Sequence, residues 1–453
     1  MSDPRDAERN RLSGRVSRYA RVGIGMGGVA ARMGVRALGA LPGSGPADLA
    51  NALGGLKGPL MKVAQLLATI PDAVPPEYAA ELMKLQNEAP PMGAAFVRRR
   101  MASELGPDWR EKFAAFDPVP SAAASLGQVH KARALDGTPL ACKLQYPDMA
   151  SAVEADLAQL RIVLGVHRRM DGAIDTTEIA EEIGARVREE LDYRREAKHA
   201  ALYADMLDAA PDVRVPRVWP ELSTGRLLTQ TWLDGQKLLA YKGASQEVRN
   251  RVATAMFRAW WHPFAHYGVI HGDPHLGNYT VFVREDGEPG GINLLDYGCI
   301  RIFPPRFVRG VVDLYHGLRE EDEERIVAAY EAWGFRGLTR ELIGILNIWA
   351  RFIYGPLLQD RVMAIAGHGV SPAEYGRRQA FEVHTALKRK GPVTVPREFV
   401  FMDRAAIGLG GVFLHLRAEL NFYRLFNGEI ENFDENALAA RQAAALERTG
   451  LTA

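Results

Sequence analysis

Apolar residues recur at four-residue intervals near the middle of the chain. Ile179, Ile183, Val187 and Leu191 follow this spacing, which is the period of one face of an α-helix. The pattern predicts a long helix over about 177–207. The same stretch carries four carboxylates: Glu189, Glu190, Asp192 and Glu196.

Shorter apolar segments bounded by turn residues predict strands on both sides of this helix. A turn at Gly137 leads into a strand that ends near Gln145, and a second strand is predicted over Gly225–Thr231. Farther along, Asp286-Gly287 separates two apolar segments, 279–283 and 292–295, which is the pattern of a hairpin. Since most of the remaining chain is predicted to be helical, the sequence indicates an α+β fold.

Three oxygen-bearing side chains follow one another around this hairpin. Asp273 is followed five residues later by Asn278, and Asp296 begins an Asp-Tyr-Gly sequence eighteen residues after that. A carboxylate can orient or deprotonate a hydroxyl group or water, and a carboxamide and a second carboxylate can hold Mg²⁺, which prefers oxygen ligands. Their order and spacing is typical of the catalytic and metal loops of protein-kinase-like phosphotransferases. We therefore expect Asp273 to be catalytic, and Asn278 and Asp296 to hold Mg²⁺ beside ATP.

The upstream segments supply the remaining parts of a nucleotide site. Lys143, on the predicted strand, is expected to contact the phosphates of ATP, and Glu196 is expected to pair with it. Backbone groups near Trp232 and Leu233, in a hinge over 232–235, are expected to read adenine. The predicted phosphate loop is rich in alanine where protein kinases have glycine, so it has less backbone freedom; it comprises Ala122, Ala123, Ala124 and Ser125.

The combination of motifs resembles the UbiB/AarF family of atypical kinases. The alanine-rich loop followed by Leu126-Gly127-Gln128-Val129-His130 is similar to that family's, as is the E-x-D motif formed by Glu190 and Asp192. Lys62 and Gln65 match the family's K-x-G-Q motif, with Ala64 in place of its Gly. The resemblance implies a protein-kinase-like two-lobed fold with an added N-terminal helical K-x-G-Q segment and a mostly helical C-terminal lobe.

The resemblance also implies a function and a division of the chain. It implies ATPase or phosphotransfer activity that supports isoprenoid-quinone or lipid metabolism, with Lys62 paired to Glu190 where a protein substrate would otherwise bind. The corresponding segments are a basic, Gly-rich leader over 1–46, the helical K-x-G-Q segment over 47–92, the small lobe and hinge over 93–235, and the large lobe over 236–453.

Composition narrows the partners. Lys and Arg total 56 and Asp and Glu total 55, so the net charge of +1 gives no electrostatic case for nucleic acid. The two cysteines, Cys142 and Cys299, are expected to be small buried hydrophobes in a reducing compartment. The acidic start of the chain suits neither a secretory signal nor a transit peptide, and no run of 18 apolar residues interrupts the sequence.

The Arg-rich leader has two interpretations. Its cations and small apolar residues between Arg9 and Arg36 could contact an anionic membrane surface, or they could be solvated. The expected location is the cytoplasm, with a possible peripheral contact at the inner membrane surface. The phosphoryl acceptor and the oligomeric state are not specified by any motif.

Two alternatives to the leading function follow from the same residues. Small-molecule phosphotransferases that resemble aminoglycoside kinases share the His-Gly-Asp and Asn pattern but lack the K-x-G-Q segment. A nucleotide-binding scaffold with little catalysis is the other alternative, which the complete catalytic set argues against. His262 and His266 have the i,i+4 spacing of zinc ligands on a helix, but the sequence offers no third ligand nearby, so a metal centre is not expected there.

Overall fold

A computed structural model describes residues 92–124, 126–154, 157–158, 184–185, 187–367, 370, 375–376, 379, 382–383, 385–386 and 396–451. Contacts divide the chain into two compact units. The first comprises Met1–Arg195 and Val218–Trp232, and the second comprises Glu196–Arg217 and Leu233–Ala453. The leader lies outside the described residues, as do Lys62, Gln65 and nearly all of the K-x-G-Q segment.

The described chain contains both helices and mainly antiparallel strands, and the predicted α+β class is confirmed. The helices include α1 (Ala94–Leu105), α2 (Tyr193–Met206), α3 (Gln246–Tyr267), α4 (Pro305–Glu320), α5 (Glu323–Ala332), α6 (Arg340–Tyr354), α7 (Arg397–Leu416), α8 (Phe422–Ile430) and α9 (Glu435–Arg448). The strands include β1 (Ala115–Ala124), β2 (Gly127–Arg133), β3 (Pro139–Gln145), β4 (Val213–Arg214), β5 (Leu227–Thr231), β6 (Gln236–Lys237), β7 (Val269–His271), β8 (Tyr279–Val283), β9 (Pro289–Leu294), β10 (Ile300–Ile302), β11 (Met363–Ala364) and β12 (Glu419–Leu420).

An antiparallel sheet forms the centre of the first unit, in the order β1-β2-β3-β5. Alternate residues of β3 point to opposite faces. Leu140, Cys142 and Leu144 are buried in the core, which includes Trp109 of the segment after α1. Lys143 therefore lies on the other face of the strand, where it is only partly buried. The strand predicted around Lys143 is confirmed.

The alanine-rich segment is a strand and not a loop. Ala122, Ala123 and Ala124 are the end of β1, and they pair with Val129, Gln128 and Gly127 in turn. Alanine is compatible with extended backbone, and this tight antiparallel register leaves only 125–126 between the two strands. The expected loop is thus reduced to a turn, and Ser125 lies outside the described residues.

The prediction of one continuous helix over 177–207 is wrong. A turn closed by Leu191 N–H to Arg188 O and by Asp192 N–H to Glu189 O precedes α2. The Asp192 carboxylate then accepts N–H groups of Arg194 and Arg195, at 3.1 and 3.0 Å, which is the arrangement of a helix N-cap. Glu190 lies in this turn and Glu196 lies in α2, so the two glutamates do not share one helix.

A buried ionic cluster connects α1 to the segment that immediately precedes β5. Glu104 is 5% exposed and accepts hydrogen bonds from Arg226 at 2.9 Å and from the hydroxyl of Thr224 at 2.6 Å. Arg100, one turn earlier on α1, lies 3.7 Å from the same carboxylate. The cluster supplies this buried carboxylate with cations and hydrogen bonds, as burial of a charge requires.

Helix α3 lies at the centre of the second unit, where it packs against β7, β9 and helices of the C-terminal region. It begins at Ser245, whose hydroxyl accepts the Val248 N–H, and it ends at Gly268 in the left-handed conformation. The predicted hairpin is confirmed as β8 and β9, which belong to a sheet of order β4-β9-β8-β6. Gly291 has a φ of +154°, and an added Cβ would lie 2.0 Å from the carbonyl oxygen of Asp212, next to β4.

Two helices of the second unit complete its description. Helix α9 begins after Asp434, whose carboxylate accepts the Ala437 N–H. The stretch Arg340–Leu358 is the one candidate membrane span within the described part of the chain. Because 44% of its most apolar stretch is buried inside the protein, and core helices have the same length and composition, the stretch is weak evidence for a membrane crossing.

Candidate phosphotransfer site

The catalytic-loop motif follows directly from a short buried strand. β7 pairs with β10, where Ile300 lies opposite His271, and the Gly272 N–H donates to the Cys299 carbonyl at 2.7 Å. These bonds place Asp273 at the end of a paired segment. A single turn of 3₁₀-helix over Leu276–Asn278 then leads the chain into β8.

Asn278 joins this loop to the metal-loop motif. Its side-chain Nδ2 donates to the carbonyl of Asp273 at 2.9 Å, and its own carbonyl accepts the Leu295 N–H at 2.8 Å. Because Nδ2 is directed to Asp273, the oxygen Oδ1 is the Asn278 atom suited to a cation. Asp296 is the next residue after Leu295. The structure therefore brings Asp273, Asn278 and Asp296 together within the second unit.

His271 is fully buried and connects the two motifs a second time. Its Nε2 atom lies 2.7 Å from the Asp296 carbonyl, and its Nδ1 atom lies 3.2 Å from the Asp273 N–H. A carbonyl only accepts, so Nε2 must donate, and Nδ1 accepts from Asp273 as in a neutral imidazole. His271 therefore joins the backbones of the two loops by hydrogen bonds. His275 accepts the Gly277 N–H through Nδ1.

The Asp-Tyr-Gly sequence is held by its buried tyrosine. The Tyr297 hydroxyl donates to the Leu294 carbonyl at 2.7 Å, and the carboxylate of Asp296 accepts the Gly298 N–H at 3.0 Å. Burial raises the pKa of Tyr297 well above its usual value, and the nearby Tyr203, Asp296 and Glu196 raise it further. The tyrosine is therefore a neutral packing and hydrogen-bonding group. The Asn278 and Asp296 oxygens form a donor set that fits Mg²⁺.

Helix α2 is connected to this segment by a residue that the sequence pattern did not identify. His199 is buried, and its Nδ1 atom lies 3.1 Å from the Tyr297 carbonyl. Glu196 is one turn earlier in the same helix and is 2% exposed. Tyr203, one turn later, packs against Tyr297 with 5.5 Å between ring centroids. The spacing Glu196, His199, Tyr203 is a signal for one helix face that sequence reasoning could have used.

Lys143 lies in the first unit, on the partly buried face of β3. Its Nζ atom is 5.3 Å from the centre of the Tyr193 ring, within the range of a cation–π contact. Gln145, two residues later on the same face, donates to the Leu191 carbonyl at 3.2 Å. The lysine therefore faces the segment that immediately precedes α2, which contains Glu190 and the N-cap Asp192.

The predicted hinge coincides with the end of β5. The Trp232 N–H donates to the Pro139 carbonyl at 2.8 Å, and the ring of Trp232 lies 4.3 Å from the Nζ atom of Lys131. Leu233 is partly buried and begins the second stretch of the other unit. The Trp232 amide is thus paired with Pro139, and the reading of adenine by backbone groups of this segment stays a prediction.

The motif after the alanine-rich segment forms a chain of buried hydrogen bonds. The Met92 N–H donates to Oε1 of Gln128 at 2.7 Å, and Nε2 of Gln128 lies 2.9 Å from Nε2 of His130. Nδ1 of His130 lies 2.9 Å from the Asp117 carbonyl, so this nitrogen donates and Nε2 accepts. Burial lowers the pKa of His130, which agrees with a neutral ring. The motif thus fastens the start of the described chain to β2 and β1.

Cys142 is a structural residue. It is completely buried in the first core, and burial raises its pKa to about 12 although a hydrogen bond from Thr229 opposes the shift. A thiol that remains protonated is a poor nucleophile. The expectation of a small buried hydrophobe is confirmed for Cys142, whereas Cys299 is only partly buried and contributes its carbonyl to Gly272.

The expectation that His262 and His266 lack a third ligand is wrong. Glu429 of α8 lies beside both rings, with 3.0 Å from its Oε2 atom to Nδ1 of His262 and 3.2 Å to Nε2 of His266. Glu429 follows His266 by more than 160 residues, so sequence spacing gave no indication of it.

Comparison with known proteins identifies relatives of the chain. Residues 84–330 match the ABC1 atypical kinase-like domain. The atypical kinase COQ8, mitochondrial, of Saccharomyces cerevisiae is 30% identical over 57% of this chain and 51% of its own length. The protein Activity of BC1 complex kinase 8, chloroplastic, of Arabidopsis thaliana is 30% identical over 63% of this chain and 38% of its own. The chain spans about half the length of these curated relatives or less.

A solved structure matches the fold over a larger share of the chain. It is the complex of Rv3197 with erythromycin from Mycobacterium tuberculosis, which is 26% identical and has a TM-score of 0.59. The match covers 90% of this chain and 99% of that one. The resemblance to the UbiB/AarF atypical kinases is therefore confirmed, and the chain belongs to the ABC1 atypical kinase-like domain family.

Proposed function

We propose that this protein is a Mg²⁺-dependent, ATP-binding atypical kinase or ATPase. Asp273 would orient the attacking hydroxyl group or water, and Lys143, supported by Glu196, would contact the phosphates. Asn278 and Asp296 would hold Mg²⁺, which neutralises charge on the phosphates when it is bound. Backbone groups of Thr231–Leu233 would read adenine.

The hydrogen bonds between the Asp273 loop and the Asp296 loop are the observation that supports the proposal. Asn278 reaches Asp273 through its side chain and Leu295 through its carbonyl, while His271 bonds the backbone of both Asp273 and Asp296. Four hydrogen bonds thus set the relative positions of the Asp273 carboxylate and the two proposed cation ligands. Such preorganisation is what phosphoryl transfer requires, because its catalysis consists mainly of positioning and charge stabilisation.

Thermal-shift titration of the full chain with ATP tests the proposal, with and without Mg²⁺. We expect ATP to stabilise the protein only with Mg²⁺, and Asp296→Asn to reduce this stabilisation strongly. Asp286→Asn is the matched control, because Asp286 is an exposed aspartate of the hairpin turn that pairs with Arg284. Unchanged Mg²⁺-dependent stabilisation of Asp296→Asn would remove Asp296 from the site.

The biological setting proposed for this activity is isoprenoid-quinone or lipid metabolism. It is supported by family membership together with the K-x-G-Q motif, whose Lys62 would pair with Glu190 and exclude protein substrates. We expect Lys62→Arg to change the preference for ATP over ADP or to produce autophosphorylation, since a planar guanidinium cannot replace a compact ammonium. ATP and ADP affinities and phosphate incorporation equal to those of the wild type would make Lys62 a structural residue.

A second candidate is phosphorylation of a soluble small molecule. The solved relative from Mycobacterium tuberculosis is a complex with erythromycin, which is the observation that favours it. Incubation with ATP, Mg²⁺ and either erythromycin or a phenolic quinone precursor separates the two candidates. A phosphorylated product of the macrolide alone, detected by mass spectrometry, would replace the quinone setting.

Peripheral contact with the inner membrane surface from the cytoplasm is the proposed location. The names of the relatives place those proteins in mitochondria and chloroplasts. The basic leader supports the membrane contact by its charge. Sedimentation with anionic vesicles should be weaker for a chain that begins at Ala47, and equal sedimentation would remove the leader from the proposal.

A further inference from the structure

Two histidines and a glutamate of the second unit converge at one point of the surface. His262 and His266 lie one turn apart on α3, and Glu429 lies in the last turn of α8. The ligand atoms of all three side chains are within 4.8 Å of one another. We propose that these three residues bind a divalent transition-metal ion of the zinc type.

The distances within the cluster suit one shared ion. The Glu429 oxygen lies 3.0 Å from Nδ1 of His262 and 3.2 Å from Nε2 of His266. Ligand atoms about 2.0–2.1 Å from a tetrahedral zinc ion are about 3.3 Å apart, which follows from the bond lengths. The ion would take the place of the imidazole N–H hydrogens that now point at the carboxylate. Each neutral imidazole would bind the ion through the nitrogen that now faces Glu429, and its single proton would move to the other ring nitrogen.

The surroundings hold the ligands in place and leave room for water. The side chains of His262 and His266 are 33% and 32% exposed, and that of Glu429 is 16% exposed. Next to them, Trp261 of α3 packs edge-on against Phe426 of α8, with 4.9 Å between ring centroids. The apolar contact fixes the spacing of the two helices, and solvent can supply the remaining ligand of a three-residue site.

The donor set distinguishes this site from the nucleotide site. Two imidazoles and one carboxylate favour zinc, copper, nickel or iron, whereas Mg²⁺ prefers the all-oxygen set of Asn278 and Asp296. The i,i+4 histidine spacing also occurs in zinc peptidases, where a glutamate beside the first histidine is the general base. Pro263 occupies that place here. The ion would therefore act as a tie between α3 and α8 and not as a hydrolytic centre.

Such a tie would act on the helix that supports the catalytic loop. Trp260, two residues before His262, donates to the His271 carbonyl at 2.9 Å. The metal would hold α8 against this helix, so its removal should lower the thermal stability of the second unit without removing any phosphotransfer residue.

Zinc binding to the full-length, tag-free protein tests the inference. The protein is treated with a chelator and titrated with Zn²⁺ by calorimetry without Mg²⁺ or nucleotide, and Co²⁺ is used as the spectroscopic probe. We expect one equivalent of Zn²⁺ to bind and to raise the unfolding temperature. Glu429→Gln and His262→Ala should each weaken binding about 100-fold, because one of only three protein ligands is lost.

His316→Ala is the matched control. His316 is also a partly buried helical histidine, and it lies 3.7 Å from one carboxylate, Glu320, at i,i+4. Its loss should leave the Zn²⁺ affinity unchanged. Equal affinities in all three variants and the wild type, or absence of stoichiometric binding, would overturn the inference.

X-ray absorption of the Zn²⁺-loaded wild type keeps the test independent of how the variants fold. We expect nitrogen and oxygen ligands with the outer-shell scattering of two imidazoles. A zinc environment without imidazole scattering would also overturn the inference, even if some zinc is bound.

Discussion

Replacement of His271 by Phe tests whether one buried ring determines the geometry of both phosphotransfer loops. The ring lies 5.2 Å from that of Trp260 and 6.2 Å from that of Tyr203. Phenylalanine should preserve this aromatic packing. The substitution removes the hydrogen bond to the Asp296 carbonyl and the acceptor for the Asp273 N–H, at 2.7 and 3.2 Å. The change therefore isolates two polar contacts.

The expected loss of stability follows from those two contacts. A lost hydrogen bond that leaves its partner unsatisfied costs about 1–3 kcal/mol when it is buried. Both backbone partners are only partly buried, so the lower half of this range applies, and we expect a total of about 2–4 kcal/mol. For a unit of more than 200 residues this corresponds to a decrease in Tm of about 4–16 °C.

Two further variants separate the contacts. The amide of His271→Gln can reach the Asp296 carbonyl in place of Nε2, while the shorter amide of His271→Asn can accept the Asp273 N–H in place of Nδ1. Because Asp296 is the proposed Mg²⁺ ligand, His271→Asn should lose more of the Mg²⁺-dependent ATP stabilisation than His271→Gln. Calorimetry measures Tm for each variant, with and without Mg²⁺–ATP. A Tm for His271→Phe within about 1 °C of the wild type, or equal Mg²⁺ responses of the other two variants, would refute the reasoning.

Three other substitutions test the fold around the site. Glu104→Gln should destabilise the first unit by about 3–5 kcal/mol in urea unfolding, because it removes the buried carboxylate that faces the buried Arg100 and the partly buried Arg226. A loss below about 1 kcal/mol would contradict this. Because the pKa of His130 is lowered in the folded protein, the unfolded chain binds a proton at this residue more readily. The contribution of His130 to the free energy of unfolding is therefore complete above about pH 6.5, and it decreases by up to about 1.4 kcal/mol per pH unit as the pH falls below that value. His130→Gln should therefore show a shallower loss of stability between pH 7.5 and pH 5.5 than the wild type, whereas parallel curves would exclude His130 as a source. Gly291→Ala should destabilise the protein by more than about 2 kcal/mol, because the added Cβ would meet the Asp212 carbonyl. Gly287→Ala is the control: its Cβ adds left-handed backbone strain but meets no neighbour within 4 Å, so it should cost about 1 kcal/mol.

Local sequence determined the elements that hold the candidate site residues. Four short features, each contained within a few residues, were found in the strand or loop predicted for them. They are the apolar run before Lys143, the Asp-Gly turn of the hairpin, the His-Gly-Asp motif and the Asp-Tyr-Gly motif. Hydrogen bonds of strands and turns join residues that are close in sequence or related by register, so their patterns are readable without a structure. The roles of Lys62 and Gln65 remain predictions.

Tertiary structure decided what periodicity could not. The apolar spacing that predicted one helix over 177–207 continues through Leu191, but the Asp192 carboxylate caps a new helix there. Capping depends on the direction of a side chain and not on the spacing of apolar residues. His199 and Glu429 act on partners 98 and 163 or more residues away in the chain. These contacts form because α2 packs against the Asp-Tyr-Gly segment and α8 packs against α3 in the second unit. A single sequence does not show which groups far apart in the chain become neighbours through such packing.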